Sequence, residues 1–217
     1  MNPIPSLCMN YKSEFMFILA ILCIDHLSSL GNKVMTFIIT SLLSYGFHVA
    51  SHVNHDINAI HLYHHKHSNL ASHSVQIFLE FAWFFGGLWL NYALSLYLNP
   101  WIIIFWYLFY TTVHNINYSA FHVNDIHEKH HALKTKNLGP DLWDIVFNTK
   151  CDENNIENTD HYIPNIIGCT LLTIGLKYMW DHIENKTLYI YAFHCMGVLS
   201  SLIYISITVY LVKRGLI

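Results

Sequence analysis

The sequence predicts an all-α integral membrane fold of helical hairpins carrying a histidine-rich cap on one face. Three observations predict it. Hydrophobic residues make up 53% of the 217 and charged residues only 12%, against about 25% charged in soluble domains. Residues 81–124 hold no Asp, Glu, Lys or Arg across 44 positions. As helix that run would extend roughly 66 Å at 1.5 Å per residue, twice a hydrocarbon core of about 30 Å. The 17 histidines crowd into short polar stretches at the ends of apolar ones. By length, 1–217 is a single domain.

Residues 1–13, with Pro3 and Pro5, read as a short polar lead on the cytosolic side. The apolar run 15–24, closed by Asp25 and His26, forms a first span when 27–30 are added. No basic stretch opens the chain and no small-residue cleavage site follows the run, so a signal peptide is not expected. Gly31-Asn32 marks a turn. Residues 34–47 then make a second span, whose helix emerges carrying His48, His52 and His55. The segment from there to His73 is too hydrated for the bilayer core and belongs on one face. Within 81–124, Asn99-Pro100 falls near the middle, where proline ends one helix and can open the next. The resulting hairpin brings 127–131 back to the face that 48–65 occupy. Residues 125–160 are polar but include the apolar patch 142–147, and they read as a cap packed on the helix ends. Residues 164–180 and 188–212 form a second hairpin around the polar loop 181–187.

Charge sets the orientation. Lys12, Lys66, Lys129, Lys134, Lys136, Lys150, Lys213 and Arg214 fall on the histidine side, and Lys33, Lys177 and Lys186 opposite. The positive-inside rule makes the histidine side cytosolic, which places the sequon Asn185-Lys186-Thr187 in the lumen. A net charge of -3 with no basic run beyond Lys213-Arg214 argues against nucleic acid. The five cysteines are scattered without a C-x-x-C pair, which suits neither a disulfide framework nor a thiolate metal site.

The chemistry lies in the histidines. HVASH places His48 and His52 four apart; HLYHH holds His61, His64 and His65; HEKHH holds His127, His130 and His131. Residues three and four apart share a helix face, so each cluster is a stripe of imidazole, and stripes aimed at one volume make a nitrogen-rich metal site. A lone histidine is usually a surface or satisfied core residue. Three such clusters in one small chain are not. His114, in VHNINY, is an ionisable group at membrane depth, where such groups usually serve a site.

Together with the 13-residue interval from His48 to His61 and the segment NLGPDLWDIVFNT at 137–149, these boxes resemble the fatty acid hydroxylase/sterol desaturase superfamily. Its members are membrane-bound non-haem di-iron oxygenases. The resemblance covers about residues 35–150, the histidine-box core, and leaves the hairpin at about 164–212 outside. The box spacing looks like that of the C-4 sterol methyl oxidase and C-5 sterol desaturase branches. It implies metal ligands at His48, His52, His61, His64, His65, His127, His130 and His131, with His114 a further contact. It also implies two iron ions, O2 as co-substrate, and hydroxylation, methyl oxidation or desaturation of a lipid C–H bond, the lipid being a sterol or a fatty acyl chain. Electrons would come from an external donor such as cytochrome b5 and its reductase, and the location would be the endoplasmic reticulum. The chain departs from the family pattern in three ways. Gln76 stands where relatives carry the acid of His-x-x-Glu after His73, Asn148 stands where Gly is usual, and the loops before His73 and His127 are short. The loops bear on the substrate more than on the metal.

An unactivated C–H bond yields only to an oxidant that no side chain provides, hence to metal-activated O2. Neutral imidazoles suit iron, and nearby acids fix their tautomers; Asp56, Asp125, Glu128 and Asp144 are the candidates. The aromatic residues of 81–110 either line a lipid groove or simply pack. His55, His67 and His122 fit no box and are expected bystanders. The competing reading is a non-catalytic histidine-rich metal-binding or metal-transport protein. A transporter should carry histidine or acid pairs at mid-membrane, and 81–113 has none.

Overall fold

Apolar runs become helices and polar punctuation ends them. The computed structural model describes residues 4–53, 59–67, 69–152 and 156–215, and all regular structure among them is helical. In chain order come α1 (Ile4–Met9), α2 (Tyr11–Cys23), α3 (Leu30–Val53), α4 (Ala59–Lys66), α5 (Leu70–Ala93) and α6 (Pro100–Thr112). A π-helical turn (Val113–Ala120) continues α6 and is followed by α7 (Ile126–Ala132), α8 (Asp141–Val146) and a 3-10 turn (Thr159–Tyr162). The chain finishes with α9 (Ile163–Asp181) and α10 (Lys186–Lys213). Two helices, Leu30–His52 and Lys186–Lys213, are long and apolar enough to cross a membrane.

The core lies between α2, α6 and α9, where Phe17, Ala20, Ile24, Phe105, Phe109 and Ile166 are buried together. Helices α2, α5 and α9 run away from the end that gathers the histidines, and α3, α6 and α10 return to it. At the far end one carboxylate holds three turns. Asp25 accepts from the side chains of Ser28 and Asn99 and lies 3.6 Å from Lys177 of α9. At the histidine end, Leu211 near the end of α10 packs with Ile60 and Leu79.

The hairpin of 81–124 turns at the expected place. Asn99 caps α6 by accepting from the N–H groups of Trp101 and Ile102, and Pro100 opens the helix. Its partner helix starts earlier than the charge-free run. A capping box at Asn69 and Ser72 begins α5, which therefore includes His73, Gln76 and Glu80.

Other expectations need correction. The run 15–30 is not one span: α2 ends at Cys23, and Asp25 takes a left-handed φ of 49°. The turn sits there rather than at Gly31-Asn32, both of which lie in the first turn of α3. Lys33 closes it by donating to the carbonyls of Leu22 and Ile24. Of the polar lead, residues 4–13 are largely helical, in α1 and the start of α2, and Asn10 bonds the backbone of Glu157 and Thr159. The pair 164–180 and 188–212 meets at a turn but does not pack along its length. Instead α9 lies on α2 and α6, and α10 lies on α5 and α4.

Candidate metal centre

Three short helical segments deliver the box histidines. The last turns of α3 present His48 and His52, α4 presents His61, His64 and His65, and α7 presents His127, His130 and His131. All eight converge, and they sort into two groups that could each hold a metal ion. One group is His48, His52, His61, His65 and His130; the other is His64, His127 and His131. Within each group the donor nitrogens lie within 4.8 Å of one another. The boxes are thus split: α4 and α7 each contribute to both groups, while α3 serves only the first.

The donor spacing fits a cation. His61 Nε2 lies 3.2 Å from Nε2 of His48 and 3.0 Å from Nε2 of both His52 and His65. One ring nitrogen cannot exchange protons with three others at once, but lone pairs converging this way are what a positive ion requires. Six ligands held about 2.1 Å from one ion stand about 3.0 Å apart along each octahedral edge, against about 3.4 Å for a tetrahedron. His127 and His131 show the same 3.0 Å Nε2 separation in the second group. Buried ring nitrogens without a hydrogen-bond partner point the same way. They are Nε2 of His130 and one of the two ring nitrogens of His64, and such groups are costly unless something fills their lone pairs.

Burial keeps the rings outside the long helices neutral. It pushes His64 down to about 2, His130 to about 3 and His131 to about 4, with neighbouring imidazoles adding to the effect. His61, His65 and His127 are lowered for the same two reasons. Neutral imidazole is the metal-binding form.

Neighbouring polar groups orient several rings. His130 Nδ1 donates to the carbonyl of Lys136 at 2.8 Å, which leaves Nε2 for the first group. That carbonyl is placed by a clamp. Asp144 accepts from the N–H groups of Leu138 and Gly139 and from the Thr149 hydroxyl at 2.6–3.1 Å. Tyr45 of α3 also bonds that hydroxyl, at 2.8 Å. Burial raises Asp144 to about 6 despite those three donors. Asp144 therefore supports His130 through the backbone rather than by touching a ring. Gly139 has its own reason: a Cβ there would sit 2.8 Å from the Tyr45 ring. Asn148 takes a left-handed φ of 57°, which glycine adopts freely and asparagine tolerates.

His114 stands apart from both groups. It lies in the π-helical turn, 8% exposed, with its ring centroid 4.6 Å from His127 and 5.8 Å from His64. Its Nδ1 hydrogen-bonds Glu80, an acid on α5 that is only 4% exposed. Glu80 was not among the expected acids. Asp125 pairs with Lys129, Glu128 faces His122, and Asp56 and His55 lie outside the described residues. The signal for Glu80 was its position: it is the last charge before the charge-free run and shares a face of α5 with Gln76 and His73. His73 also comes close, 5.4 Å from His64 between ring centroids. His67 packs at a tilt against Tyr63, and His122 is exposed.

One cavity adjoins the histidines and a second lies beside it. The first, of about 60 Å³, is lined by His48, His114, His127, Tyr110 and Tyr118. The other, of about 100 Å³, is almost wholly apolar and lies between α3, α5 and α6, with Phe47, Trp83, Phe84 and Trp106 in its walls and Glu80 at one end. Tyr110 lines both. The chain matches no family model, no curated protein and no solved structure.

Proposed function

We propose that this chain is an O2-dependent di-iron oxidoreductase of the membrane that acts on a lipid C–H bond, by hydroxylation, methyl oxidation or desaturation. In this reading it belongs with the fatty acid hydroxylase/sterol desaturase superfamily. Its long helices span the endoplasmic reticulum membrane, and the histidine end faces the cytosol. The observation that carries the proposal is the five-and-three division of the eight box histidines beside a cavity that shares Tyr110 with an apolar cleft. A metal store needs the donors alone. The cleft supports a role in which something apolar approaches them.

Two iron ions, with O2 and electrons from an external donor such as cytochrome b5 and its reductase, supply oxidising power that no side chain has. The chain's own residues do the rest. The box histidines hold the ions through neutral imidazole nitrogens, the metal-binding form. Phe47, Trp83, Phe84 and Trp106 exclude water and guide a lipid, sterol or acyl chain, toward Tyr110 and the histidine cavity. His114 closes the side of that cavity nearest His127.

The test is to assay iron in the purified chain and to compare the lipids of a host with and without it. About two irons per chain and one oxidised lipid class are expected, with turnover only when a reducing partner is added. Iron binding with no lipid changed would favour the metal-handling reading instead.

A further inference from the structure

We infer that Glu80 is a positioning residue serving both groups, setting which ring nitrogen His114 turns toward the three-histidine group beside it and, through Gln76, which ring nitrogen of His61 faces its neighbours in the five-histidine group. The inference rests on the di-metal reading above. An imidazole that binds a metal through one nitrogen carries its proton on the other, and the partner of that proton decides the tautomer.

The hydrogen-bond directions follow from the donor and acceptor types. An ionised carboxylate only accepts. Glu80 Oε1 therefore takes the proton of His114 Nδ1, which leaves the lone pair of His114 on Nε2. Glu80 Oε2 accepts from Asn115 Nδ2 at 2.8 Å. Gln76 Nε2 donates to Glu80 Oε1 at 3.3 Å, so the Gln76 carbonyl oxygen must face the other way. It lies 3.2 Å from His61 Nδ1, and only a protonated Nδ1 can meet it. His61 then keeps its lone pair on Nε2, the atom 3.0–3.2 Å from the Nε2 atoms of His48, His52 and His65. One buried carboxylate thus orients a ring in the five-histidine group and the ring beside the three-histidine group.

The arrangement also accounts for Gln76. With Glu80 one turn further along α5, a second acid at 76 would set two carboxylates side by side in a buried site. A glutamine there relays the orientation without the added charge. Three donors converge on Glu80. The isosteric Glu80→Gln change keeps its size but offers a single acceptor oxygen and turns an NH2 toward one of those donors.

The experiment titrates the metal-free full chain, purified in detergent, with Co2+ alone, following bound metal per chain and the visible cobalt bands. Thermal unfolding of each metal-free variant is measured in parallel. Wild type should bind two ions. Glu80→Gln should bind both about 10- to 100-fold more weakly, with changed cobalt bands, and Glu80→Asp should recover part of the loss. Gln76→Leu should weaken one ion only, and Asn115→Leu neither. If Glu80→Gln binds two ions with wild-type affinity and bands, the inference fails while the di-metal reading stands. The inference also fails if any loss merely tracks the fraction of unfolded protein. A wild-type chain that takes up no cobalt overturns the di-metal reading itself.

Discussion

The five-histidine and three-histidine groups draw on the same short helices, yet the chain supplies them unequally. In the first, His61 sits at the hub of three close nitrogen pairs, and the carbonyl of Lys136 fixes His130. In the second, three donors replace five and His64 has both nitrogens unpartnered, while the neighbouring cavity touches His127 and His114 and also His48 of the first group. A metal site that only holds its ion is closed by protein ligands, whereas one that reacts keeps a position open. On the proposed function, the three-histidine group, with fewer protein donors, is the one that keeps a position open to react, and the five-histidine group holds its ion.

Removing single ligands should break that comparison most visibly. His64→Ala takes one of three donors and His130→Ala takes the one that a backbone carbonyl locks; both should abolish lipid product. His64→Ala should leave about one metal per chain, with the five-histidine group still filled. His52→Ala, which removes one of five from a half-exposed position, should retain more metal than either. Metal analysis of the three purified variants decides it. Equal losses in all three would mean that the groups do not differ.

Acidity should produce the next largest effect. The box histidines outside the long helices have folded pKa values depressed below 6.5, to about 4 for His131, 3 for His130 and 2 for His64. Between those values and 6.5 the unfolded chain binds more protons than the folded one, so stability falls as pH falls. The metal-free chain should therefore lose thermal stability steadily from pH 6.5 to 4 and change little from 6.5 to 8. Because the rings are already neutral, metal affinity should barely differ between pH 7.5 and 6.5. A steep loss of affinity over that interval would show that protons compete for the donors. These profiles are read by thermal melts and cobalt titration.

A smaller effect should come from the clamp that serves only the five-histidine group. Gly139→Ala places a Cβ 2.8 Å from the Tyr45 ring, an overpacking that costs about 1–3 kcal/mol. It also pushes on the turn whose Lys136 carbonyl holds His130. The variant should melt earlier and weaken one metal ion, leaving the ion at His64, His127 and His131 nearly unchanged. Weakening of both ions alike would show that the clamp is not specific to one group.

The sequence disclosed the parts of this centre that are local. Histidines three and four apart on one helix share a face whatever surrounds them, so the box residues could be named before any fold was known. Pro100 and its cap Asn99 were legible for the same reason. The five-and-three division was not, because it depends on how α4 and α7 are rotated between the groups, a property of packing. Glu80 was missed because its partner His114 lies on another helix, and a lone acid at the head of an apolar run looks like the edge of that run. The turn at Asp25 was misplaced because Asn99, far along the chain, anchors it. The separation of α9 from α10 follows from α9 burying Ile166 and Cys169 against α2 and α6, a preference that hydropathy alone does not reveal.

The smallest effects should come from histidines near the boxes but outside both groups. His67 follows α4 by one residue, and its ring lies tilted against Tyr63 with centroids 4.5 Å apart. Its carbonyl, not its ring, accepts the bond from Ser72 that helps start α5. Replacing the ring therefore leaves that backbone bond in place and removes only a partly exposed aromatic contact. His122 is more exposed still and faces Glu128, itself exposed, at 3.4 Å; ion pairs of that kind contribute little in water. His67→Ala and His122→Ala should each keep about two metals and most of the lipid product, measured on the same preparations as His64→Ala. Loss of metal from His67→Ala would place a ninth nitrogen in the three-histidine group and close the open position assigned to it. The reacting role would then have to move to the other group.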